Sequence, residues 1–259
     1  MKKLGKKAWL SAVLLPFALQ ALLWSAGKEP QVRDLHSVEL FAGEMQITKH
    51  MLDLSFLSVG FDCRYGENED LCTAAGFEKA LRLILRIRPC GHLWAAPVCS
   101  SWGFIGRSAT GRWQGNAGGN RANSKTRNAN RMVVLLTCLF LLAHFRGVHL
   151  WLEQPVSSLM AMFSPMAELM DEIMKCTTAT YLFCFGSKST KPIKIWSTCT
   201  LVANLKRKKP RNAGGLAERK GNHVNGNSKA LKQSQSYPPA FGAAVSQEMK
   251  STLKKRRIR

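Results

Sequence analysis

Short apolar runs alternate with amphipathic stretches along most of this chain. Runs of strand length, rich in β-branched and aromatic residues, occupy residues 37–41, 57–63, 93–96, 148–152, 177–185 and 194–202. Helical patterns occupy residues 44–56, 77–88, 132–145 and 241–253. Ser164 before Pro165 predicts a further helix start, with Ser164 as its cap. Alternating strands and helices predict an α/β fold built on a doubly wound, mainly parallel sheet.

Three of the predicted strands end in residues that can carry chemistry. Gly43 follows the first strand, Cys99 follows Pro97 at the end of another, and Glu153 closes the 148–152 run. The carboxyl ends of neighbouring parallel strands meet at one edge of an open sheet, where α/β proteins bind ligands. We therefore expect the glycine turn, the thiol and the carboxylate to converge there if these strands are neighbours.

The eight cysteines are spread through apolar runs and include no CxxC spacing. Secreted disulfide frameworks are short and dense in cysteine, so this spread predicts reduced thiols. The missing ligand spacing argues against zinc, and we expect no metal. A long polar loop, residues 103–129, follows Cys99 and is typical of a functional or a disordered segment.

The chain carries a large positive charge, with 38 basic against 16 acidic residues and a net charge of +22. Such an excess favours a polyanionic partner, either nucleic acid or an anionic membrane. Basic tails on an ordinary protein are the alternative, because much of the surplus lies in residues 206–211 and 254–259. Both runs also match nuclear localisation signals.

Composition divides the chain into four parts. Residues 1–34 are a basic and apolar leader with a linker, matching either a signal peptide or short membrane anchor, or a leader helix without a targeting role. Residues 35–203 are the main domain. Residues 204–236 are basic and poor in large apolar side chains, which predicts a flexible segment. Residues 237–259 are a helix that returns to the main domain, followed by a basic tail.

The order of these motifs resembles the cytosine-C5 DNA methyltransferase family across residues 38–249. Phe41-Ala42-Gly43 is similar to the family's first motif, Phe-x-Gly-x-Gly-Gly, and Ala96-Pro97-Val98-Cys99 to its nucleophile motif, Gly-Pro-Pro-Cys. Glu153-Gln154-Pro155 is similar to Glu-Asn-Val. Residues 191–196 resemble the family's Lys-Pro-Thr segment, and Gly242-Ala243-Ala244-Val245 its last motif, Gly-Asn-Ala-Val. The resemblance implies an S-adenosylmethionine-dependent, Rossmann-like methyltransferase fold.

The resemblance also implies a mechanism. The Cys99 sulfur would add to C6 of a flipped cytosine and make C5 nucleophilic, while Glu153 would bind the N3/N4 edge of the base and stabilise charge there. The methyl donor would be S-adenosylmethionine, and the product 5-methylcytosine in DNA, with RNA left open as substrate.

The same resemblance assigns the cofactor site. Phe41, Ala42 and Gly43 would line it after the first strand, with Pro97 alongside. Asp62, at the end of the second strand, would bind the ribose hydroxyls, and a solvated loop acid is the alternative. The Asp70-Leu71 pair resembles the segment that contacts the adenine amino group.

Four basic residues are assigned to the nucleic acid. Arg107 and Arg112 lie in the loop after Cys99 and would close on phosphates around the extruded base, or else form a solvated basic loop. Lys191 and Lys194 lie in the segment that resembles Lys-Pro-Thr. The family and the basic runs suggest a nuclear location.

Several positions depart from the family pattern. Met45 and Gln46 stand where its second and third glycines belong, Val98 replaces a proline, and Ala243 replaces the asparagine of the last motif. Residues 202–237 span about a third of an ordinary target-recognition domain. These departures favour an alternative, a degenerate methyltransferase-like domain that binds nucleic acid or cofactor without turnover. A third alternative, supported only by the leader, is a secreted or membrane-tethered protein whose likeness to the family is vestigial.

Overall fold

A computed structural model describes residues 32–187, 192–208 and 236–255 of the 259-residue chain. The leader up to residue 31, most of the basic segment and the final four residues lie outside the described residues. What the sequence predicts for those stretches therefore stays a prediction.

The described residues contain a six-stranded sheet with the order β2-β1-β3-β4-β6-β5. The strands are β1 Leu35–Leu40, β2 Ser58–Phe61, β3 Ile87–Ala95, β4 His149–Pro155, β5 Cys176–Tyr181 and β6 Pro192–Ser197. The first four run parallel to one another, and β6 is antiparallel to both of its neighbours, β4 and β5. The predicted α/β class is confirmed, and the sheet is mixed rather than wholly parallel.

Helices cover both faces of this sheet. They are α1 Gln46–Asp53, α2 Ala74–Arg86, α3 Arg107–Thr110, α4 Ser124–Phe145, α5 Ser164–Glu172 and α6 Pro239–Lys255. On one face, α1 and α6 pack over Trp94 and Trp151, with Phe241 of α6 fully buried. On the other face, α2, α4 and α5 bury a larger aliphatic core. Each fully buried apolar side chain contributes about 1.5–3 kcal/mol.

Helix α4 is the longest helix among the described residues. It begins at Ser124, because the Asn123 side chain accepts hydrogen bonds from the first turn at Lys125 N and Thr126 N. The predicted loop 103–129 is therefore shorter than expected. By length and mean hydropathy (1.4) α4 would also pass for a membrane span, but 44% of its apolar window is buried against the domain. Its apolar character is that of a core helix on the sheet, as predicted.

The strand order reverses at β1. The chain runs from β1 to β2 on one side of the sheet and then crosses to β3 on the other side of β1. A reversal of this kind opens a crevice outside the carboxyl ends of the two strands that flank it. In this sheet, that position is between the turn after β1 and the turn after β3.

Candidate active site at the carboxyl edge of the sheet

Hydrogen bonds join the carboxyl ends of the four parallel strands. Ala42 N, just past β1, donates to Phe61 O of β2 at 3.1 Å, and Ala96 N, just past β3, donates to Leu40 O of β1 at 3.3 Å. The Gln154 amide of β4 donates from Nε2 to Pro97 O at 2.6 Å. The segments that hold Gly43, Cys99 and Glu153 therefore lie along one edge, in neighbouring positions.

Cys99 opens a tight turn directly after Pro97. Its carbonyl accepts hydrogen bonds from Trp102 N at 3.0 Å and Gly103 N at 2.9 Å, and the Trp102 side chain is buried in the core. The thiol residue itself is half-buried. The buried Trp102 side chain thus anchors this turn, and Cys99 lies at the carboxyl edge of the sheet.

Glu153 lies on β4 one residue beyond the last register pair with β3. It is buried, and Tyr237 Oη donates a 2.8 Å hydrogen bond to its Oε2. Burial and the adjacent Glu153 charge raise the pKa of Tyr237 well above its usual value, so the phenol remains a donor. Tyr237 comes from the segment that leads into α6, which makes the C-terminal helix part of the site.

The turn after β1 has an unusual backbone. Phe41, Gly43 and Met45 have φ values of 58°, 55° and 54°, all in the left-handed region. For Gly43 this conformation is free of strain, whereas for the other two it costs about 1–3 kcal/mol each. The peptide N–H of Gly43 donates to Asp62 Oδ2 at 2.9 Å, which fixes the predicted ribose-binding carboxylate beside the glycine turn.

Met45 stands where the resembled motif has a glycine. Its side chain has room there because Gly60 of β2, which lacks a side chain, lies against it. The Met45 side chain lies against Gly60 so closely that a Cβ there would be 2.9 Å from Met45 Cγ. The Met45 side chain is therefore accommodated over β2.

Arg64 and Tyr65 cover the outer side of the glycine turn. Tyr65 Oη donates to Gly43 O, and the pKa of Tyr65 is raised to about 12, chiefly by burial. The Arg64 guanidinium lies 2.6 Å from where a Cβ of residue 43 would be. Its side chain is 58% exposed, so it can turn away without breaking the core.

Two of the predicted cofactor residues, Asp70 and Leu71, have structural contacts of their own. The Leu71 side chain is buried in the apolar core, and the assignment of this pair to the cofactor site stays a prediction. Asp70 Oδ1 accepts a 2.8 Å hydrogen bond from Cys72 N and shapes the start of α2. Phe41 packs against the same apolar core as Leu71, while Ala42 is buried and Pro97 is held by Gln154.

Arg112 is not available to phosphates, contrary to the prediction. It is fully buried, with its guanidinium 3.5 Å from the centroid of the Trp102 ring. Nη2 donates to Asn130 Oδ1 at 2.8 Å and to Ser101 Oγ at 3.0 Å, and Nη1 donates to Ala117 O. Burial lowers its pKa to about 10. The sequence pattern could not distinguish this internal role from an exposed basic loop.

Arg107 also binds within the protein. Its Nη2 donates to Ser157 O at 2.9 Å, which joins the loop after Cys99 to the segment after β4, and its guanidinium lies 5.5 Å from the Phe104 ring. Lys194 lies on β6 in register with Gln154, at the same edge of the sheet, with its ammonium 4.8 Å from the Trp196 ring. Lys191 lies outside the described residues.

Sequence reasoning missed Glu39, a carboxyl group on β1. Its Oε2 accepts hydrogen bonds from Thr48 N at 2.8 Å and Thr48 Oγ1 at 2.7 Å, and its buried Oε1 has no hydrogen-bond partner among the described residues. Burial raises the pKa of Glu39 from 4.5 to about 7. The available signal was a single acid directly between Val38 and Leu40 in β1.

We expect Glu39 to make the protein less stable as pH rises. The folded state holds the Glu39 proton more tightly than the unfolded state, so stability falls between pH 4.5 and pH 7 by about 3 kcal/mol. Glu39→Gln keeps an acceptor for Thr48 but cannot ionise. The free energy of unfolding of Glu39→Gln, relative to that of wild type, should therefore rise between pH 4.5 and pH 7. Urea unfolding from pH 4.5 to 8 measures this, with exposed Glu67→Gln as the control. A constant difference between Glu39→Gln and wild type would contradict it.

No disulfide joins any of the eight cysteines, all of which lie in the described residues. Within residues 32–187, 192–208 and 236–255, no group of three His, Cys, Asp or Glu side chains is placed to hold a metal ion. Comparison of the chain with protein-family models and with curated proteins found no match.

Proposed function

We propose that this protein is an S-adenosylmethionine-dependent methyltransferase that methylates C5 of cytosine in DNA through a covalent Cys99 adduct. The observation that carries the proposal is the 2.6 Å hydrogen bond from Gln154 Nε2 to Pro97 O. It links the residue after Glu153 to a residue two positions before Cys99. The nucleophile and acid segments are thereby adjacent, beside the crevice at the β1–β3 reversal.

The residues at this edge fit the methyl donor. Asp62 offers a carboxylate at the end of β2 for a ribose diol, and its Oδ2 is held beside the left-handed Gly43 turn by the Gly43 N–H. The side chain of Met45 is accommodated against Gly60. When bound, S-adenosylmethionine supplies an electrophilic methyl group.

The protein's own residues would act on the base. Cys99 Sγ, once deprotonated, forms a bond to C6 of cytosine, which moves electron density to C5. Glu153 holds a proton at N3 and so neutralises the charge that the addition creates. The hydrogen bond from Tyr237 Oη to Glu153 Oε2 orients that carboxyl group. Loss of the C5 proton after methylation breaks the S–C6 bond and restores Cys99.

The direct test uses purified full chain, labelled S-adenosylmethionine and mixed-sequence DNA. Label should enter DNA that contains cytosine and should not enter the same DNA made with 5-methylcytosine throughout. Equal background on both substrates would contradict the proposal. Binding of cofactor or DNA without methyl transfer would instead favour a degenerate methyltransferase-like domain that binds without turnover.

Glu153→Gln should lower the rate of methyl transfer by about 10²–10⁴-fold, since an amide cannot hold a proton at N3. Single-turnover measurements separate this loss from weaker binding. Glu172→Gln, an exposed substitution on α5, is the matched control and should leave the rate unchanged. An unchanged rate in Glu153→Gln would exclude Glu153 from the chemistry.

A further inference from the structure

Large apolar side chains are exposed around the turn that carries Cys99. Phe104 and Trp113 are 73% and 62% exposed, and Val98 and Ile105 are more than half exposed. We call these four residues the loop platform. Neighbouring apolar side chains at the surface, in a segment of only 16 residues, are typical of a binding surface.

The loop platform is held in place from within. Arg112 bonds to Ser101, three residues before Phe104, and Trp113 directly follows Arg112. Thr110 Oγ1 donates to Gly106 O at 2.7 Å, and Leu159 N donates to Trp102 O at 3.1 Å. The backbone segments that carry Phe104 and Trp113 are therefore both held by the buried Arg112 guanidinium. Because these segments are already ordered, ligand binding costs little conformational entropy there.

Local contacts orient the two rings. The Trp113 ring lies against Gly115, where a Cβ would be 2.2 Å from the indole. The Phe104 ring lies 5.5 Å from the Arg107 guanidinium. Each ring is supported by the protein on one side while most of its surface remains in solvent.

The segment that carries the loop platform has charges of one sign, because no Asp or Glu occurs between Glu78 and Glu153. Four basic residues of the segment that follows Trp113 are exposed: Arg121, Lys125, Arg127 and Arg131. Exposed aromatic rings and exposed cationic side chains in one segment of the chain suit a chain of bases joined by phosphates.

We propose that the loop platform binds single-stranded DNA, with bases stacked on Phe104 and Trp113 and phosphates on Arg121 and Lys125. This inference rests on the proposed function for DNA as the substrate. Unpaired bases have free faces for stacking, whereas those in a duplex are covered by their neighbours. A single strand bound here lies close to Cys99, and none of its bases has to be extruded from a duplex.

The test measures binding of a labelled, unstructured oligodeoxynucleotide of about 20 nucleotides to the full chain, without methyl donor, by fluorescence anisotropy. Phe104→Ala and Trp113→Ala should each weaken binding by roughly tenfold, since stacking is lost. Phe104→Tyr should retain it. Phe145→Ala is the matched control, because Phe145 is 77% exposed at the end of α4, next to the opposite edge of the sheet. Arg121→Gln should reduce the slope of log affinity against log salt by about 0.7.

Several results would overturn the inference. They are unchanged affinity in Trp113→Ala, an equal loss in Phe145→Ala, tighter binding of the matching duplex, tighter binding of the matching RNA, or binding only to phosphatidylserine vesicles. Thermal unfolding of each variant identifies any loss that is due to misfolding. A wild type that binds the oligonucleotide through these rings yet transfers no methyl group would remove the proposed function and leave this inference standing.

Discussion

Cys99→Ala is expected to abolish methyl transfer to cytosine in DNA, with a fall in rate on the order of 10⁴-fold or more. Without the sulfur, C6 receives no nucleophile, and C5 of the aromatic ring is too weakly nucleophilic to react. Cys99 stands in a turn fixed by its own carbonyl and by buried Trp102, so removal of the thiol should leave the fold intact. DNA with 5-fluorocytosine, which has no C5 proton to lose, should form a covalent complex with wild type and not with Cys99→Ala.

Cys138→Ala is the matched control for this result. Cys138 lies in α4, where burial raises the pKa of its thiol to about 11 and keeps it protonated. Its loss should leave both methyl transfer and the covalent complex unchanged. If Cys99→Ala retained the wild-type rate, or if the covalent complex formed without Cys99, the mechanism would be wrong.

Arg112→Ala is expected to destabilise the protein by about 3–5 kcal/mol. The substitution leaves the acceptors at Asn130, Ser101 and Ala117 without their buried donor and opens a space beside Trp102. Because this guanidinium joins the loop after Cys99 to α4, binding of oligonucleotide by the loop platform should weaken as well. Urea unfolding followed by tryptophan fluorescence measures the loss of stability.

Exposed Arg121→Ala is the companion variant, and its free energy of unfolding should stay within about 0.5 kcal/mol of wild type. Arg112→Lys should recover only part of the lost stability, since an ammonium cannot reproduce the planar set of donors. A loss below about 1 kcal/mol in Arg112→Ala would show that the buried guanidinium does not organise the loop.

The order of strands and helices was predictable because most of these elements are buried on one face or both. Apolar runs overlap all six described strands, although β3 begins at Ile87, inside the stretch 77–88 that was predicted as helix. The parallel pairing of β1, β3 and β4 brings their ends together as expected. The predicted strand 177–185 ends early, at Tyr181, because Leu182–Phe185 turns into a 3₁₀ helix that is equally apolar. The position of reversed β6 between β4 and β5 depends on long-range packing, which local patterns do not record.

Capping and side-chain direction were harder to predict. Ser164 is the first residue of α5 and not its cap; its hydroxyl donates to Glu168, and Phe163 occupies the cap position. The direction of Arg112 depends on where Asn130 lies, 18 residues away. The hydrogen bond from Tyr237 to Glu153 spans 84 residues, so neither local sequence contains a signal for it.

The late position of Tyr237 along the chain has a consequence during synthesis. When β1 to β4 have left the ribosome, the segments that hold Cys99 and Glu153 can already pair, but Tyr237 and α6 are still to be made. A nascent chain at that stage lacks the hydrogen bond from Tyr237 to Glu153, and Trp94 is not yet covered by Phe241. If Cys99 and Glu153 act as proposed, their site would therefore be complete only after translation has passed α6.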